Sequence, residues 1–282
     1  MTSLANDADG VGLVVLGHSI AKVRSSTRRI VIYLPRAISE YTLCRVQAAG
    51  WELLPVDDTQ SKIVNHNVGA FHPKKYLKLW SWTLDASPTH LTSIVYLAPN
   101  TVVRQNFDEL FDLPFVFGAA LDTHADFRGF TIEFNSGVMA FRPNSTVFSD
   151  MLSKVLKAPV DNEQDFLNLY YGQQVARLPH VYNGNLAIKA RSRVYWDGIW
   201  DGMRVIQYTV VSPFNRQPVC QKVSSGPNPC TLEGIWSSER HKEHMERASG
   251  EMGGYYRREI ELWRNLYNEA ILSVISSQCK LP

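Results

Sequence analysis

The 282-residue sequence is 45% hydrophobic and 20% charged, a balance that excludes a disordered, collagen-like or disulfide-stapled miniprotein and suits one large domain or a domain with an appendage. Its 29 basic and 27 acidic residues leave a formal net charge of +2. No overall field therefore gathers nucleic acid or an anionic membrane, and any anionic ligand has to be held locally.

Residues 1–9 are polar and acidic, without the positive n-region of a secretion signal. From residue 12 (GLVVLGHSI) a helix is expected toward Arg24. Residues 29–34 (RIVIYL) are β-branched and nearly continuous, as a strand covered on both faces should be. A helix over 40–49 and a strand over 51–56 follow, then a helix over 74–82 that opens after Pro73. Residues 93–97 (SIVYL) form another buried strand. This alternation predicts an α/β fold with a mostly parallel central sheet and helices on both faces. Ligands of such sheets bind beyond the carboxyl ends of the strands, which directs attention to the residues after Leu97.

A short amphipathic helix is expected over 107–113, then an irregular stretch to Arg128. The strand pattern of 131–141 is interrupted by Asn135, Ser136 and Gly137, which suits either close approach by a ligand or a bulge. Residues 162–171 read as a helix whose first turn carries Glu163 and Asp165, complementing the helix dipole. A Pro, Ser and Gly-rich loop over 216–229 marks a boundary, giving a domain over 1–215 and a loop and helical extension over 216–282. In the extension Ile260, Trp263, Leu266 or Tyr267, Ala270 and Val274 share one helix face, fit for packing on the parent domain or for a homodimer contact. His241 and His244 are expected as a solvated pair rather than a metal site. Cys44 and Cys279 are read as ordinary thiols. Cys220 and Cys230 bracket the loop and could pair only in an oxidising compartment. With no apolar run near the roughly 20 residues of a membrane helix, the chain is expected to be soluble and cytoplasmic, without nucleic-acid or membrane partners.

Several blocks, in order, resemble one family: LANDA at 4–8 with GLVVLGHS at 12–19, YLKLWSW at 76–82, IVYLAPNTVVRQNFDELF at 94–111, FNSGVMAF at 134–141, EQDFLNLYY at 163–171 and LPHVYN at 178–183. Together they are similar to glycogenin and galactinol synthase, retaining nucleotide-sugar glycosyltransferases of family 8 with a GT-A fold. The resemblance covers residues 2–215. It implies that Asn6 and the backbone around Leu4 hold the base and ribose, with Asp9 where the family has a tyrosine that packs on the base. It implies that Lys78 reaches the sugar or phosphate, that Asp122 binds sugar hydroxyls, and that Asn135, Ser136 and Gly137 lie beneath the sugar. Glu163 is implied near the anomeric centre, and Gln164 beside it.

The departures fall at the family's metal site. Ala98 and Asn100 stand where the family has two aspartates, Gln207 where it has a histidine, and Ser212 where it has a lysine. A hard divalent ion beside phosphates wants anionic oxygens. The resemblance therefore implies a UDP-sugar transferase with no tightly bound metal, or at most weak manganese through Asn100 and Gln207. Lys74, Lys75, Lys78 and Arg104 are candidates to neutralise the diphosphate instead. The sugar is expected to be of glucose or galactose type, and the acceptor side to be shaped by 115–128 and the tail. Two other readings stay open: a binding module without turnover, and a self-glucosylating primer modified at Tyr195.

Overall fold

The computed structural model describes residues 1–56, 73–86, 88–155, 157–158, 160, 162–214, 231–275 and 279. The loop over 216–229, with Cys220 and Cys230, and the side chain of Val274 lie outside them. Strand β1 (Thr2–Leu4) leads into α1 (Asp9–Lys22), then β2 (Ile30–Tyr33), α2 (Glu40–Ala48) and β3 (Glu52–Pro55). The three strands run parallel in the order β1-β2-β3. Helix α1 is buried along most of its length, and two glycines let it sit that close. A Cβ on Gly12 would lie 2.3 Å from the carbonyl of Pro99, and one on Gly17 would meet Trp51.

A single α turn, α3 (Pro73–Tyr76), passes directly into a 3-10 helix over Leu77–Asp85. The helix expected over 74–82 therefore changes type after one turn. Residues 77–82 are all buried and offer no solvent-facing stripe that would mark one helical period. Strands β4 (Ile94–Leu97) and β5 (Thr101–Val103) follow, then a 3-10 turn at Asp108–Asp112. The stretch to Arg128, expected to be irregular, holds β6 (Phe117–Thr123). Its run FGAAL does not alternate because both faces are covered. Strand β7 (Phe130–Phe141) passes unbroken through Asn135, Ser136 and Gly137, and its pairing with β6 shifts register twice. Then come α4 (Ser145–Val155), α5 (Glu163–Tyr171), β8 (Ala176–Leu178), β9 (Gly184–Asn185), α6 (Leu186–Arg191), α7 (Arg193–Ile199) and β10 (Val205–Gln207).

A second sheet has the order β4-β7-β6-β8, with β7 antiparallel to both neighbours and β8 parallel to β6. Met1 joins it to the first sheet, donating to the Val95 carbonyl and accepting from Leu97 N. A third, small sheet pairs β10 with β5 and β9. Its register sets Gln207 opposite Thr101, one residue past Asn100.

The extension forms α8 (Leu232–Trp236), α9 (Ser238–Gly254), kinked at Glu251–Gly253, and α10 (Arg257–Ile275). Ile260, Trp263, Leu266, Tyr267 and Ala270 are buried in one cluster with Val11, Val14 and Val15 of α1. Among the described residues, that face packs within the chain. A buried ion pair, Lys189 with Glu259 at 2.8 Å, fastens α10 to α6. The histidine pair is not solvated. His241 is buried, with Nε2 2.7 Å from the Ile235 carbonyl, and His244 Nε2 is 2.9 Å from the Ser212 carbonyl. His244 ties α9 to the domain, whereas His241 ties α9 to α8 within the extension. Cys44 and Cys279 are likewise not separate thiols: they form a disulfide across 235 residues. Helix α10 runs back along α1 to α2 and carries the tail to Cys44. Closing so long a loop restricts the unfolded chain by about 5 kcal/mol in the chain-entropy picture. No helix among the described residues is long and apolar enough to cross a membrane.

Candidate active site

The carboxyl ends of β1 and β4, the middle of β7, the start of α5 and the segment after β10 enclose a cleft of about 510 Å³. Most of the residues proposed from sequence converge on it. Lys78, Ala98, Asn100, Asn135, Ser136 and Gly137 border it, as do Asp9, Glu163, Gln164, Gln207 and Ser212. Lys74 and Lys75 reach it too.

On the sugar-side wall the first turn of α5 faces β7. Asn162 caps this helix, its side chain accepting from Asp165 N, so Glu163 and Gln164 emerge at a fixed height over β7. The Lys78 ammonium donates to the Ser136 carbonyl at 3.0 Å, to Ser136 Oγ at 3.0 Å and to Glu163 Oε1. Three acceptors match its three hydrogens. Ser136 Oγ in turn donates to Glu163 Oε1 at 2.7 Å. Lys78 is thus bound up in holding Glu163 and Ser136. Lys74 and Lys75 have no ion pair among the described residues. Lys74 and Lys75 on α3 and Lys78 on the 3-10 helix all border the cleft, so the change of helix type does not scatter them.

Below this wall is a buried network centred on Asp122, which is 3% exposed and does not border the cleft. Its carboxylate accepts from Thr123 N, Asn135 Nδ2, Asn185 Nδ2 and Gln164 Nε2 at 2.8–3.2 Å. Asp122 therefore acts on the cleft through Asn135 and Gln164 rather than by touching a ligand in this arrangement. Asn135 Oδ1 accepts from Gly137 N and Asn183 Nδ2, and Gln164 Oε1 accepts from Ser136 N. Each amide is fixed at both ends, which sets its orientation. Asn183, Asn185 and the cleft-lining Thr209 were missed in the sequence. Their signal was a pair of amides about a glycine (NGN) amid apolar strands, where a polar group needs a buried partner.

Opposite this wall, Ala98 and Asn100 follow β4. Asn100 Nδ2 donates to the Tyr208 carbonyl at 2.8 Å, and Tyr208 N donates to the Asn100 carbonyl at 2.9 Å, so the two segments are laced together. Gln207 is 7% exposed, and its Oε1 is a buried acceptor without a partner. It fits only because Gly137 has no side chain: a Cβ there would lie 2.1 Å from Gln207 Nε2. At the positions where the metal ligands were expected, Asn100 and Gln207 offer only neutral amide oxygens, whereas a divalent ion beside a diphosphate prefers anionic ones; the carboxylates bordering the cleft are those of Asp9 and Glu163. Among the described residues no group of three or more His, Cys, Asp or Glu is placed to hold a metal.

The remaining sequence-proposed residues stand outside the cleft. The Leu4 side chain is in the core, while its neighbours Ser3 and Ala5 border the cleft. Asn6 bonds the Asp9 amide and carboxylate at the start of α1. Arg104 is turned away, with its guanidinium 3.8 Å from the Trp200 ring and its Nη1 on the Trp200 carbonyl. The antiparallel β5 carries it to the far end of β10, where a planar cation can stack. Tyr195 does not border the cleft either. It bonds His180 Nδ1 at 3.1 Å on the surface.

Comparison with known proteins places this geometry. No family model matches the chain. It is 25% identical over 295 residues to galactinol synthase 1 of Solanum lycopersicum, covering 96% of this chain and 82% of that one. It is 29% identical over 186 residues to glycogenin of Neurospora crassa, and 31% identical over 173 residues to inositol phosphorylceramide glucuronosyltransferase 1 of Arabidopsis thaliana. Those two matches span only 26% and 29% of the longer relatives. Among solved structures, the galactosyltransferase LgtC with donor and acceptor sugar analogs superposes with a TM-score of 0.55 at 18% identity, covering 94% of this chain and 98% of that one. The glycosyltransferase GlyE of Streptococcus pneumoniae superposes with a TM-score of 0.56 at 12% identity, covering 96% and 62%. At such identities these structures speak for the fold, which is GT-A. By sequence the chain is similar to galactinol synthase and glycogenin, and its fold is that of the GT-A glycosyltransferases.

Proposed function

We propose that the chain transfers a hexose, with retention of configuration, from a UDP-sugar of the glucose or galactose type, and does so without a tightly held metal. The observation that carries this reading is the cleft itself. A rigid sugar-side wall (Asn135, Ser136, Gly137, Glu163, Gln164) faces neutral amides, Asn100 and Gln207, with lysines at the mouth. A pure scaffold has no need for such a preorganised polar wall, which favours turnover over a binding module.

The leaving diphosphate needs positive charge that strengthens as the bond breaks. Lys74 and Lys75 supply it, since Lys78 is engaged within the protein. Asn135 and Gln164 hold the sugar hydroxyls, and the Asp122 network keeps both amides from rotating. Glu163 stabilises positive charge at the anomeric carbon or orients the acceptor hydroxyl on the face the leaving group departs from. Its carboxylate, already accepting from Lys78 and Ser136, is suited to that electrostatic role rather than to covalent attack. Catalysis is then positioning and electrostatics. The Cys44–Cys279 disulfide favours an oxidising compartment over the cytosol as the place of work.

Calorimetric titration of UDP, UDP-glucose and UDP-galactose, with manganese and again with EDTA, tests the reading. Binding should survive EDTA and fall in the double variant Lys74→Ala/Lys75→Ala. Binding only with manganese would mean that Asn100 and Gln207 serve as ligands. No binding under either condition would sink the nucleotide-sugar transferase reading and leave the binding module in front.

A further inference from the structure

One region of the surface is not accounted for by the cleft. The turn between β6 and β7 carries Phe127 at its tip, 94% exposed. The turn is stiff: His124 N donates to the Gly129 carbonyl at 2.8 Å, Gly129 takes a positive φ of 63°, and Arg128 clasps Asp126 through its Nε and Nη2. Phe127 is therefore held out into water by a braced loop. Next to it Phe130 and Ile132, two residues apart on β7, are 52% and 79% exposed. The patch continues across to α7. The Phe130 ring is 6.2 Å from that of His180, which is 5.8 Å from the ring of half-exposed Tyr195, and the adjoining Val194 is 87% exposed.

Five large exposed apolar side chains on the turn, the adjoining end of β7 and the start of α7 are unusual for a surface that need only stay dissolved. Arginines border the patch. Arg191 donates from Nε to the His124 carbonyl beneath the turn and has no carboxylate partner among the described residues. Arg193 has only Asp197, which it shares with Arg258. An apolar wedge with two arginines, Arg191 and Arg193, and a tyrosine at its rim matches an anionic lipid surface, where rings enter the headgroup region and guanidinium groups stay at the phosphates. The turn also reaches the buried network behind the cleft. His124 Nε2 stands 3.5 Å from Asp122, the centre of the network that holds the sugar-side wall.

From these contacts we propose that the 124–129 turn, with Phe130, Ile132, Val194 and Tyr195, is a peripheral membrane-docking surface that seats the protein on anionic lipid. This attachment is local and requires neither a spanning helix nor a large net charge. It stands independently of the donor chemistry proposed above, because vesicle binding needs no turnover.

Flotation of the full chain with vesicles of phosphatidylcholine, and of phosphatidylcholine mixed with phosphatidylserine, tests it. The wild type should float with the mixed vesicles and less well with the neutral ones. Phe127→Ser should lower partitioning on the mixed vesicles about tenfold. Because Phe127 makes almost no internal contact, its variant should melt with the wild type. Wild-type protein that stays in the dense fractions with both vesicles overturns the proposal, as does a Phe127→Ser variant that floats undiminished. Concentration-dependent self-association broken by Phe127→Ser, without flotation, would assign the patch to a second copy of the chain and equally overturn it.

Discussion

The contact between Lys78 and Glu163 decides how the cleft works, and it can be measured. Their side chains are 10% and 21% exposed, and the pair ties the 3-10 helix to α5 across β7. Breaking one side of a buried pair costs about 3–5 kcal/mol when the remaining charge is sealed from water. Glu163 retains a fifth of its exposure, so Lys78→Met should cost about 3 kcal/mol, leaving its carboxylate with Ser136 Oγ. Glu163→Gln keeps an acceptor for both Lys78 and Ser136 and should cost about 1–2 kcal/mol. The double variant leaves no orphaned charge and should lie near the cheaper of the two. The coupling energy is then about 2–3 kcal/mol.

Urea unfolding of the four proteins at neutral pH gives this cycle directly. Single-variant losses that add to within about 0.5 kcal/mol would refute the pairing. The same proteins separate two roles for Lys78. If Lys78 holds Glu163, Lys78→Met should depress turnover more than it weakens UDP binding. If instead it touches the diphosphate, the loss should appear in binding, and the cycle should show little coupling.

Two further predictions follow from buried groups. Burial lowers the His241 pKa from 6.5 to about 4, even though the bond to the Ile235 carbonyl opposes the shift. The unfolded chain takes up this proton below about pH 6.5 and the folded chain only near pH 4, so the stabilisation is intact above pH 6.5 and drains away between those values. The loss should approach about 3 kcal/mol. Denaturant midpoints across that window should fall for the wild type and stay flatter in His241→Gln; parallel curves would show that the ring is solvated. At Gly137, an alanine Cβ would meet Gln207 Nε2 at 2.1 Å, forcing that side chain toward the cleft. Gly137→Ala should lose about 1–3 kcal/mol of stability together with UDP binding. Adding Gln207→Ala should recover the stability, and no recovery in the melting temperature would place the strain elsewhere.

Strands β2 and β4 were legible because they are almost wholly buried and read as continuous apolar runs. Strand β6 was not, although FGAAL is just as buried. Its alanines and glycine carry little β signal, and the partners that define it are β7, thirteen residues on, and β8, more than fifty residues away. The disulfide and the two anchoring histidines were illegible for a related reason. The disulfide depends on α10 returning along α1 to α2, and the histidine bonds on α9 folding against α8 and Ser212; no local pattern reports where a helix docks. The site shows the same division. Asn135 and Ser136 stood out as polar residues interrupting a strand pattern, whereas Glu163, which also suits the start of a helix, and Gln164 were singled out only by the family resemblance. Asp122 was identified from the same resemblance, but its distance from the cleft surface could be seen only once Asn135, Gln164 and Asn185 were all found donating to it.

That placement bears on how a cleft with neutral residues at the expected metal positions can still bind a charged donor. An ion bridging a diphosphate both supplies charge and fixes geometry. Here the two tasks are divided. Lysines at the mouth can provide charge, but flexible chains at a mouth give little geometric precision. Precision has to come from the opposite wall, and there Asp122 and the amides around it leave Asn135 and Gln164 almost no rotational freedom. A loss confined to charge, as in Lys74→Ala/Lys75→Ala, should therefore weaken binding while sparing the discrimination between glucose and galactose donors. Asp122→Asn would free the amides and blur that discrimination, even though the side chain never reaches the sugar. Equal effects of the two changes on donor preference would show that charge and geometry are not separable in this cleft.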